Sequence, residues 1–347
     1  MKINKIIIWS IISIVLISCN SENYRIITRI DRDGSCQREI HVIADTISDN
    51  FPYDLSYGWK ISQTDTVVKE HLSEKIKKVI KISKKFNSAH ELFADLRSDI
   101  IFPNPKESLK KRFRWFYTYY AFTAVYPEVT DKGRVPMEQY LNKEEQKLYL
   151  QGDMSAYRGM NGTELKEILD ELEIRFWKWY SRSVYEECFD IILNFADTDF
   201  RSQLSVVKDS LYFINAEQID DVPGMSKICT MLDNFLATDH FSKLYAENEQ
   251  EMDDMIEERT NTTNELYKMN IQYELALPGK IMTANTDLQN DGVLEWNVNL
   301  FKFLADDYTL TAESRVANIW AFVVTLLLVV ICVCCFVMLH SSAKSTH

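Results

Sequence analysis

The sequence predicts an α+β protein in which strands from both ends of the chain form an antiparallel β-sheet. Hydrophobic and polar residues alternate near both ends, as they do in strands with one buried face. Between these regions hydrophobic residues recur every three or four positions, as in amphipathic helices. A long uncharged stretch near the C-terminus indicates one transmembrane helix. We therefore expect a sheet, a helical block that is inserted or lies over one sheet face, and one membrane helix.

Residues 19–130 are predicted to form the N-terminal part of the β-rich domain. In residues 24–44, side chains alternate with period two on both sides of Asp33-Gly34. This pattern is typical of a β-hairpin with a tight turn. Residues 75–86 are predicted as a strand, because Ser88-x-x-Glu91 is a capping box that begins a helix at the next residue.

The densest aromatic stretch of the chain, "KKRFRWFYTYYAFTAVYP", covers residues 110–127. Aromatic side chains fall on both faces if this stretch is extended. It is therefore predicted as one strand that is covered on both sides.

Residues 131–263 are predicted as the helical insertion. Residues 137–150 and 164–194 have helical periodicity, and residues 200–260 are mostly helical, ending in an acidic run. Alternation returns in residues 264–317, the predicted C-terminal part of the β-rich domain. Pro278-Gly279 and Asn290-Asp291-Gly292 are predicted turns between its strands.

The uncharged stretch near the C-terminus covers residues 319–339, which is about 32 Å of helix at about 1.5 Å per residue. This length matches a hydrocarbon core about 30 Å thick. We expect a transmembrane helix over residues 318–339, followed by a cytoplasmic tail at residues 340–347.

The first 18 residues have the layout of a secretory signal peptide, with Lys2 and Lys5 before a short apolar stretch. Leu16-Ile17-Ser18-Cys19 resembles the bacterial lipobox, in which the peptide is cleaved before the cysteine and the cysteine is acylated. We expect lipidation at Cys19; the alternative is an uncleaved signal anchor with an incidental cysteine. Lipidation occurs outside the cytoplasm, so the expected location is the bacterial inner membrane, with the bulk of the chain in the periplasm.

Between the two predicted anchors the chain is acidic. This part holds 36 of the 39 Lys and Arg residues and all 51 Asp and Glu residues, a net charge of −15. Such a charge argues against binding to nucleic acid and against electrostatic adhesion to anionic lipid as the main interaction.

The seven cysteines do not predict a disulfide framework or a zinc site. Three of them, Cys332, Cys334 and Cys335, lie in the predicted membrane helix, where small apolar filler is favoured over a metal motif. Whether Cys36 pairs with Cys188 or Cys229 is left open by the sequence.

Catalytic motifs are missing from the sequence: it contains no His-Glu-x-x-His, no Gly-x-Ser-x-Gly and no phosphate-binding glycine loop. No enzyme activity, metal or cofactor is therefore expected. The candidate ligand-binding residues are aromatic and would line an apolar cleft, with an ordinary core role as the alternative; they are Trp115, Tyr117, Tyr119 and Trp296. A basic run could hold lipid headgroups or form a solvated strand face; it consists of Lys75, Lys77, Lys78, Lys81, Lys84 and Lys85.

The C-terminal β part resembles a known family. "LALPGKIMTANTDLQNDGVLEWNVNLF", then "YTLTAES" and a membrane helix, is similar to the LppM-type membrane-proximal β-domain of bacterial lipoproteins. The residues that carry the resemblance are Pro278, Gly279, Lys280, Asn285, Gly292, Trp296 and residues 312–314. The overall arrangement also looks like envelope lipoproteins of Bacteroidetes-type bacteria. The resemblance implies a fold and a cell-envelope location, and the role proposed for such domains is lipid binding.

Taken together, these patterns favour an envelope lipoprotein that acts by binding or scaffolding, with the helical insertion as the surface for a protein or envelope polymer. The alternative is a carrier of lipid or another apolar ligand, and an enzyme of unrecognised type comes third. The membrane itself is a partner of both termini.

Overall fold

The computed structural model is α+β, with mixed and antiparallel sheets. It describes residues 22–43, 55, 58–70, 73–94, 104–129, 132–215, 224–286, 288–299 and 301–344. The predicted signal peptide and the predicted lipidation site Cys19 lie outside these residues.

The chain divides into two units. The β unit comprises Glu22–Tyr126, Asn270–Val298 and Thr309–His347. The helical unit comprises Pro127–Met269 together with Asn299–Tyr308. The second segment of the helical unit falls within the stretch predicted as C-terminal β structure, because a short helix interrupts the strands there.

Apart from the C-terminal helix described below, the elements of the β unit are strands and one short helix. They are β1 (Glu22–Ile30), β2 (Cys36–Ile43), β3 (Lys60–Glu70), β4 (Ser73–Phe86), α1 (Ala89–Ala94), β5 (Lys106–Phe113), β6 (Tyr117–Tyr126), β7 (Met269–Ala276), β8 (Lys280–Ala284), β9 (Gln289–Asn290), β10 (Val293–Asn299) and β11 (Tyr308–Ala317). Strand β3 was missed by the sequence analysis, and β4 confirms the strand predicted over residues 75–86.

These strands form two sheets, so the prediction of one sheet is wrong. The seven-stranded sheet has the order β3-β4-β2-β1-β7-β10-β9 and joins N- and C-terminal strands as predicted, whereas β5-β6-β11-β8 form a separate four-stranded sheet. Phe122 of the smaller sheet stacks on Tyr273 of the larger one, with ring centroids 6.1 Å apart. Two sheets that cover each other produce the same alternation as one sheet covered by helices, so the pattern could not separate the two cases.

The predicted hairpin turns are confirmed. β1 and β2 pair antiparallel around Gly34, whose φ is +103°. β9 and β10 pair around Asp291 and Gly292, which both have positive φ, as a two-residue type I′ turn requires. Gly279 turns the chain from β7 in the larger sheet to β8 in the smaller one.

The aromatic stretch at residues 110–127 is a hairpin, so its prediction as a single strand is wrong. β5 ends at Phe113, the chain turns at residues 114–116, and β6 begins at Tyr117. The turn contains Arg, Trp and Phe in place of Gly, Pro, Asn or Asp, so no turn signal marked it in the sequence.

The helical unit contains six α-helices within the described residues. They are α2 (Lys143–Gln146), α3 (Gly162–Phe195), α4 (Thr198–Ile214), α5 (Met225–Leu236), α6 (His240–Lys268) and α7 (Phe301–Ala305). The long helix predicted over residues 164–194 is confirmed as α3, and Asn161 caps its first turn in a capping box with Glu164.

The helix predicted over residues 137–150 is broken into short pieces. A 3₁₀ turn at Met137–Gln139, α2 and a π turn at Lys147–Gln151 follow one another. Asn142 begins the second piece, because its side chain accepts hydrogen bonds from the backbone N–H groups of Glu144 and Glu145. An internal cap of this kind starts a new helix and so interrupts the old one.

The last helix, α8 (Ile319–Lys344), begins two residues after β11 ends. Its segment Ile319–Met338 is 20 residues long with a mean hydropathy of 3.2, and only 6% of it is buried. By length and composition this segment is able to cross a membrane.

Candidate functional site

The structure brings three of the four predicted ligand residues together and places the fourth elsewhere. Trp115 lies in the β5–β6 turn, and Tyr117 and Tyr119 follow on β6, half-buried, with ring centroids 6.4 Å apart. Trp296 lies on β10 of the other sheet, where it is 3% exposed. Its indole N–H donates to Asn285 Oδ1 at 3.0 Å, and its ring packs edge-on against Tyr273.

The residues behind the LppM resemblance hold strands together in this fold. Asn285 Oδ1 accepts from Trp296 and from the backbone N–H of Thr311, and its Nδ2 donates to the carbonyl of Thr309. Ser314 Oγ donates to the carbonyl of Pro278 at 2.9 Å. Asn285 thus connects β8, β10 and β11.

The tip of the β5–β6 hairpin closes tightly. The backbone N–H of Arg114 donates to the carbonyl of Tyr117 at 2.8 Å, and the reverse hydrogen bond is 3.1 Å long. Trp115 and Phe116 therefore stand at the apex of a turn whose ends are fixed by backbone pairing. We call Phe113–Tyr117 the hairpin tip.

Asn318, the residue before α8, binds the helix start to this hairpin tip. Its Nδ2 donates to the carbonyls of Arg114 and Trp115 at 2.8 and 3.2 Å, and its Oδ1 accepts from Thr118 Oγ1 at 3.0 Å. Its backbone N–H donates to the carbonyl of Phe116 at 2.9 Å. One side chain thus uses both its amide nitrogen and its carbonyl oxygen to hold a hairpin against a helix N-terminus.

A further contact reaches nearly two turns into the helix. Trp115 Nε1 donates to Thr325 Oγ1 at 2.8 Å, and that hydroxyl donates to the carbonyl of Ala321 at 2.7 Å. The hydroxyl of Thr325 therefore has both a donor and an acceptor partner in an otherwise apolar helix.

Aromatic rings surround this junction. Phe113 stacks on Trp320 with nearly parallel planes at 6.3 Å, Trp115 meets Trp320 edge-on at 5.2 Å, and Phe116 lies 4.7 Å from Phe322. Despite these contacts the rings remain open to the surroundings: Phe113 is 61% exposed, Trp115 45% and Trp320 52%. Exposed rings held by specific contacts are a feature of binding surfaces.

Basic residues flank the same rings. Lys106, Lys110, Lys111, Arg112 and Arg114 lie on the hairpin with one acidic residue, Glu107, which is buried in an ion pair. The guanidinium of Arg315, at the end of β11, lies 4.7 Å above the ring of Tyr117. The hairpin thus exposes positive charge alone, although the whole chain has a net charge of −12.

A buried polar network lies between the two sheets of the β unit. Arg38 on β2 donates twice to Glu107 on β5, each at 2.9 Å, and also binds Thr28 and the hydroxyl of Tyr273. Burial raises the pKa of Tyr273 well above its ordinary value, so its hydroxyl stays a neutral donor to Glu107. Because the side chains of Arg38 and Glu107 are fully buried, this network joins the sheets and is closed to ligands.

The helical unit contains a charged cleft of about 550 Å³. Arg259 donates to Glu187 and Asp190 at 3.0 and 2.8 Å, and Arg134 lies 3.8 and 3.5 Å from the same carboxylates. The two arginines balance the two carboxylates, so the cleft offers no net charge to a ligand.

The helical unit also exposes an apolar stripe on α4. Val206, Phe213 and Ile214 are 78%, 72% and 67% exposed, and positions seven or eight residues apart share one helix face. We call these three residues the α4 stripe.

The three cysteines outside α8 that the structure describes, Cys36, Cys188 and Cys229, are buried free thiols. Cys36 lies in the β unit, whereas Cys188 and Cys229 lie in the core of the helical unit. Burial raises the pKa of Cys36 to about 11 and the pKa values of Cys188 and Cys229 to about 12. Thiols that stay protonated at neutral pH are poor nucleophiles and poor metal ligands.

Within the described part of the chain, no group of three or more His, Cys, Asp or Glu residues could hold a metal ion. The junction residues Asn318, Thr325 and Trp320 were missed by the sequence analysis. Tryptophan at the end of a membrane helix is a known interfacial signal and could have identified Trp320. No family model, curated protein or solved structure matches this chain.

Proposed function

We propose that this chain is a membrane-anchored bacterial envelope lipoprotein that acts by binding or scaffolding. The observation that carries the proposal is the junction at Asn318. The uncharged candidate span, 6% of which is buried, begins directly after Asn318, and Asn318 forms four hydrogen bonds with the hairpin tip and the adjoining Thr118. A free apolar helix of this length is poorly soluble in water, so a bilayer is its natural surrounding.

The orientation follows from the predicted lipobox. Acylation at Cys19 places the bulk of the chain in the periplasm, and α8 then crosses inward and leaves the tail in the cytoplasm. One acyl chain alone binds a membrane only marginally, whereas a spanning helix is effectively irreversible. The helix is the main anchor in this proposal, and the acyl group holds the other terminus to the same bilayer.

The LppM-like character of the C-terminal strands is also part of the proposal. It is supported by the roles of Pro278, Asn285 and Trp296, which join three strands directly before the membrane helix. These roles concern fold and location.

Binding is assigned to the helical unit, and the α4 stripe supports this assignment. Three large hydrophobic side chains on one helix face are 67% or more exposed. Exposed apolar groups of this kind favour a protein or polymer partner.

The anchoring is tested by washing membranes with alkaline carbonate. The wild-type chain should stay in the membrane, and replacing Leu327 and Leu328 by Arg should release it, because charges at the centre of a span are unfavourable. The matched control replaces Phe213 and Ile214, two exposed residues of α4, by Arg and should remain bound. Release of the intact wild-type chain would refute the anchor.

The orientation is tested separately. Cys19→Ala should lose metabolic palmitate labelling, and protease added outside spheroplasts should digest the body of the chain. Digestion only from the cytoplasmic side would reverse the proposed orientation.

The binding role is tested by crosslinking in intact cells. Val206→Asp combined with Phe213→Asp should remove crosslinked partners, whereas Ile174→Asp, on another exposed apolar position of α3, should retain them. Equal crosslinking by the wild type, the double variant and the Ile174→Asp control would argue against the α4 stripe as the binding surface.

The carrier alternative is supported by the exposed rings of the hairpin tip. It predicts lipid bound to the detergent-extracted protein in native mass spectrometry. Efficient recovery of lipid-free protein would exclude it.

A further inference from the structure

We propose that the hairpin tip is a lipid-docking site that inserts its aromatic rings into the membrane interface and selects anionic headgroups through Lys110, Arg112 and Arg114. This inference rests on the proposed membrane span of α8 and names the lipid class that contacts the β unit. The occupant is an anionic phospholipid surface.

The depth of the tip follows from its contact with the helix. Thr325, which accepts the indole N–H of Trp115, lies six residues after the helix start, or about 9 Å along the axis at about 1.5 Å per residue. α8 contains 26 residues, about 39 Å, whereas a hydrocarbon core needs about 30 Å. The candidate span Ile319–Met338 begins at the first residue of α8, so the excess length lies at the C-terminal end of the helix. The hairpin tip therefore packs against the first two turns of the span itself.

The exposed rings fit this depth. Phe113, Trp115 and Trp320 are each 45% or more exposed, although Phe113 stacks on Trp320 and Trp115 packs edge-on against it. Tryptophan is enriched at the membrane–water interface, and interfacial apolar groups lie about 5–10 Å into the boundary between headgroups and acyl chains. The rings are therefore open to lipid and held at a fixed level by the Asn318 hydrogen bonds.

The charges fit a headgroup layer. Lys110, Arg112 and Arg114 are exposed, and among the described residues no carboxylate forms an ion pair with them. Lys110 and Arg112 precede the rings of the hairpin tip, and Arg114 lies between Phe113 and Trp115. Each Lys or Arg near an anionic leaflet contributes about a fivefold preference. The strongly negative charge of the rest of the chain makes this local positive site the favourable contact with such lipid.

The basic run on β4 is the alternative site for anionic headgroups. Lys81 pairs with Glu39 at 2.8 Å, and the ammonium of Lys84 lies 5.0 Å from the ring of Phe86. Lys78 and Lys85 remain exposed on the same strand, and Lys60 is exposed on its neighbour β3. These three residues supply a charge-matched control.

The test uses the full-length protein in nanodiscs that contain equal amounts of phosphatidylglycerol and phosphatidylcholine. Native mass spectrometry measures the lipids that leave the disc with the protein. Among these lipids we expect phosphatidylglycerol to outnumber phosphatidylcholine by at least about five to one, compared with one to one in the disc. The triple variant K110Q/R112Q/R114Q should lose this enrichment, and the control K60Q/K78Q/K85Q should keep it.

Several outcomes would overturn the proposal. They are no enrichment with the wild type, full enrichment with the hairpin variant, or an equal loss with the control, which would transfer the site to β3 and β4. Independently of any variant, wild-type enrichment should fall when the discs are equilibrated in about 1 M salt, where the screening length is about 3 Å. Enrichment unchanged by salt also contradicts it.

A second readout separates this inference from the membrane span itself. Brominated acyl chains should quench Trp320, measured as the difference between wild type and Trp320→Phe, if α8 is inserted. Absence of that quenching refutes the proposed function. Quenching of Trp320 together with no phosphatidylglycerol enrichment refutes only the lipid selectivity.

Discussion

Each unit of this molecule holds an arginine among carboxylates and tyrosines, but the two surroundings differ in their access to water. In the β unit, the side chains of Arg38 and Glu107 are both 0% exposed. In the helical unit, Arg182 binds Glu186 and Asp209, and the side chain of Asp209 is 68% exposed. The guanidinium of Arg182 also lies 4.4 Å from the ring centroid of Tyr212.

This difference predicts which arginine contributes more to the stability of the fold. A charge removed from water needs every partner, because nothing replaces a lost one. Arg38 joins two sheets through Glu107, Thr28 and Tyr273, so its loss would leave a buried carboxylate without its cation. Water can replace Arg182 beside Asp209, so the same substitution there should have a smaller effect.

Arg38→Met should produce the largest loss, about 3 to 5 kcal/mol of the free energy of unfolding of the β unit. Hydrogen exchange of the full-length protein in nanodiscs measures the opening free energies of β2 and β5. Replacing both partners, Arg38→Met with Glu107→Leu, should recover much of the stability, since no buried charge remains. A single variant that loses less than the double variant would show that the pair is not desolvated as the structure indicates.

Gly279→Ala should cause the next largest loss in the free energy of unfolding, about 2 to 4 kcal/mol. An added Cβ would lie 2.2 Å from the carbonyl oxygen of Arg315, and φ is +86°. The matched control is Gly292→Ala in the other turn, where φ is +81° and the Cβ would meet nothing within 4 Å. It should lose only about 1 kcal/mol, from the backbone conformation alone. Equal effects on thermal unfolding would mean that the turn at Gly279 relaxes.

Arg182→Met should destabilise the helical unit by about 1 to 2 kcal/mol, because the lost hydrogen bonds to charged groups are partly replaced by water. Exchange should accelerate in α3 and α4, with β2 unchanged. A loss as large as that of Arg38→Met would remove the contrast between the two units.

Lowering the pH should produce the smallest effect, a loss below about 1 kcal/mol in the free energy of unfolding for each carboxylate that is protonated. Burial raises the pKa of Glu39, but hydrogen bonds from Lys81 and His41 outweigh it, so the net pKa is lowered. The pKa of Glu145 is lowered in the same way, against burial, by Arg175 and the N–H of Asn142.

A lowered folded-state pKa stabilises the protein above the unfolded value of about 4.3, and this stabilisation disappears as the pH falls through the folded-state pKa. Glu39→Gln should therefore reduce the acid sensitivity of the β unit alone, and Glu145→Gln that of the helical unit alone. The measurement is hydrogen exchange, corrected for intrinsic rates at each pH. A variant that changes the wrong unit would contradict the assignment.

Local patterns in the sequence were sufficient for several elements. Asp33-Gly34 and Asp291-Gly292 predict tight turns, since positive φ is needed there. The hydrophobic periodicity of residues 164–194 predicts a long helix in nearly the bounds of α3. These features depend on residues that are neighbours in the chain.

The candidate site was predicted only in part. Trp115, Tyr117 and Tyr119 were identified as an aromatic group, but Trp115 was assigned to a strand and lies in a turn. Asn318 and Thr325 gave no signal, because their partners are about 200 residues away in the chain. Trp296 was grouped with the others by residue type, although it belongs to the other sheet.

The sequence by itself determined most of the strands, the long helix α3, and that one terminal segment is apolar enough to span a bilayer, because hydrophobic period and turn chemistry are local properties. Only the tertiary structure decided that the strands form two sheets, that Arg38 meets Glu107 between them, and that the hairpin tip meets the start of α8. Alternation records that one face of a strand is buried. It does not record what buries that face, and that depends on contacts between residues far apart in the chain.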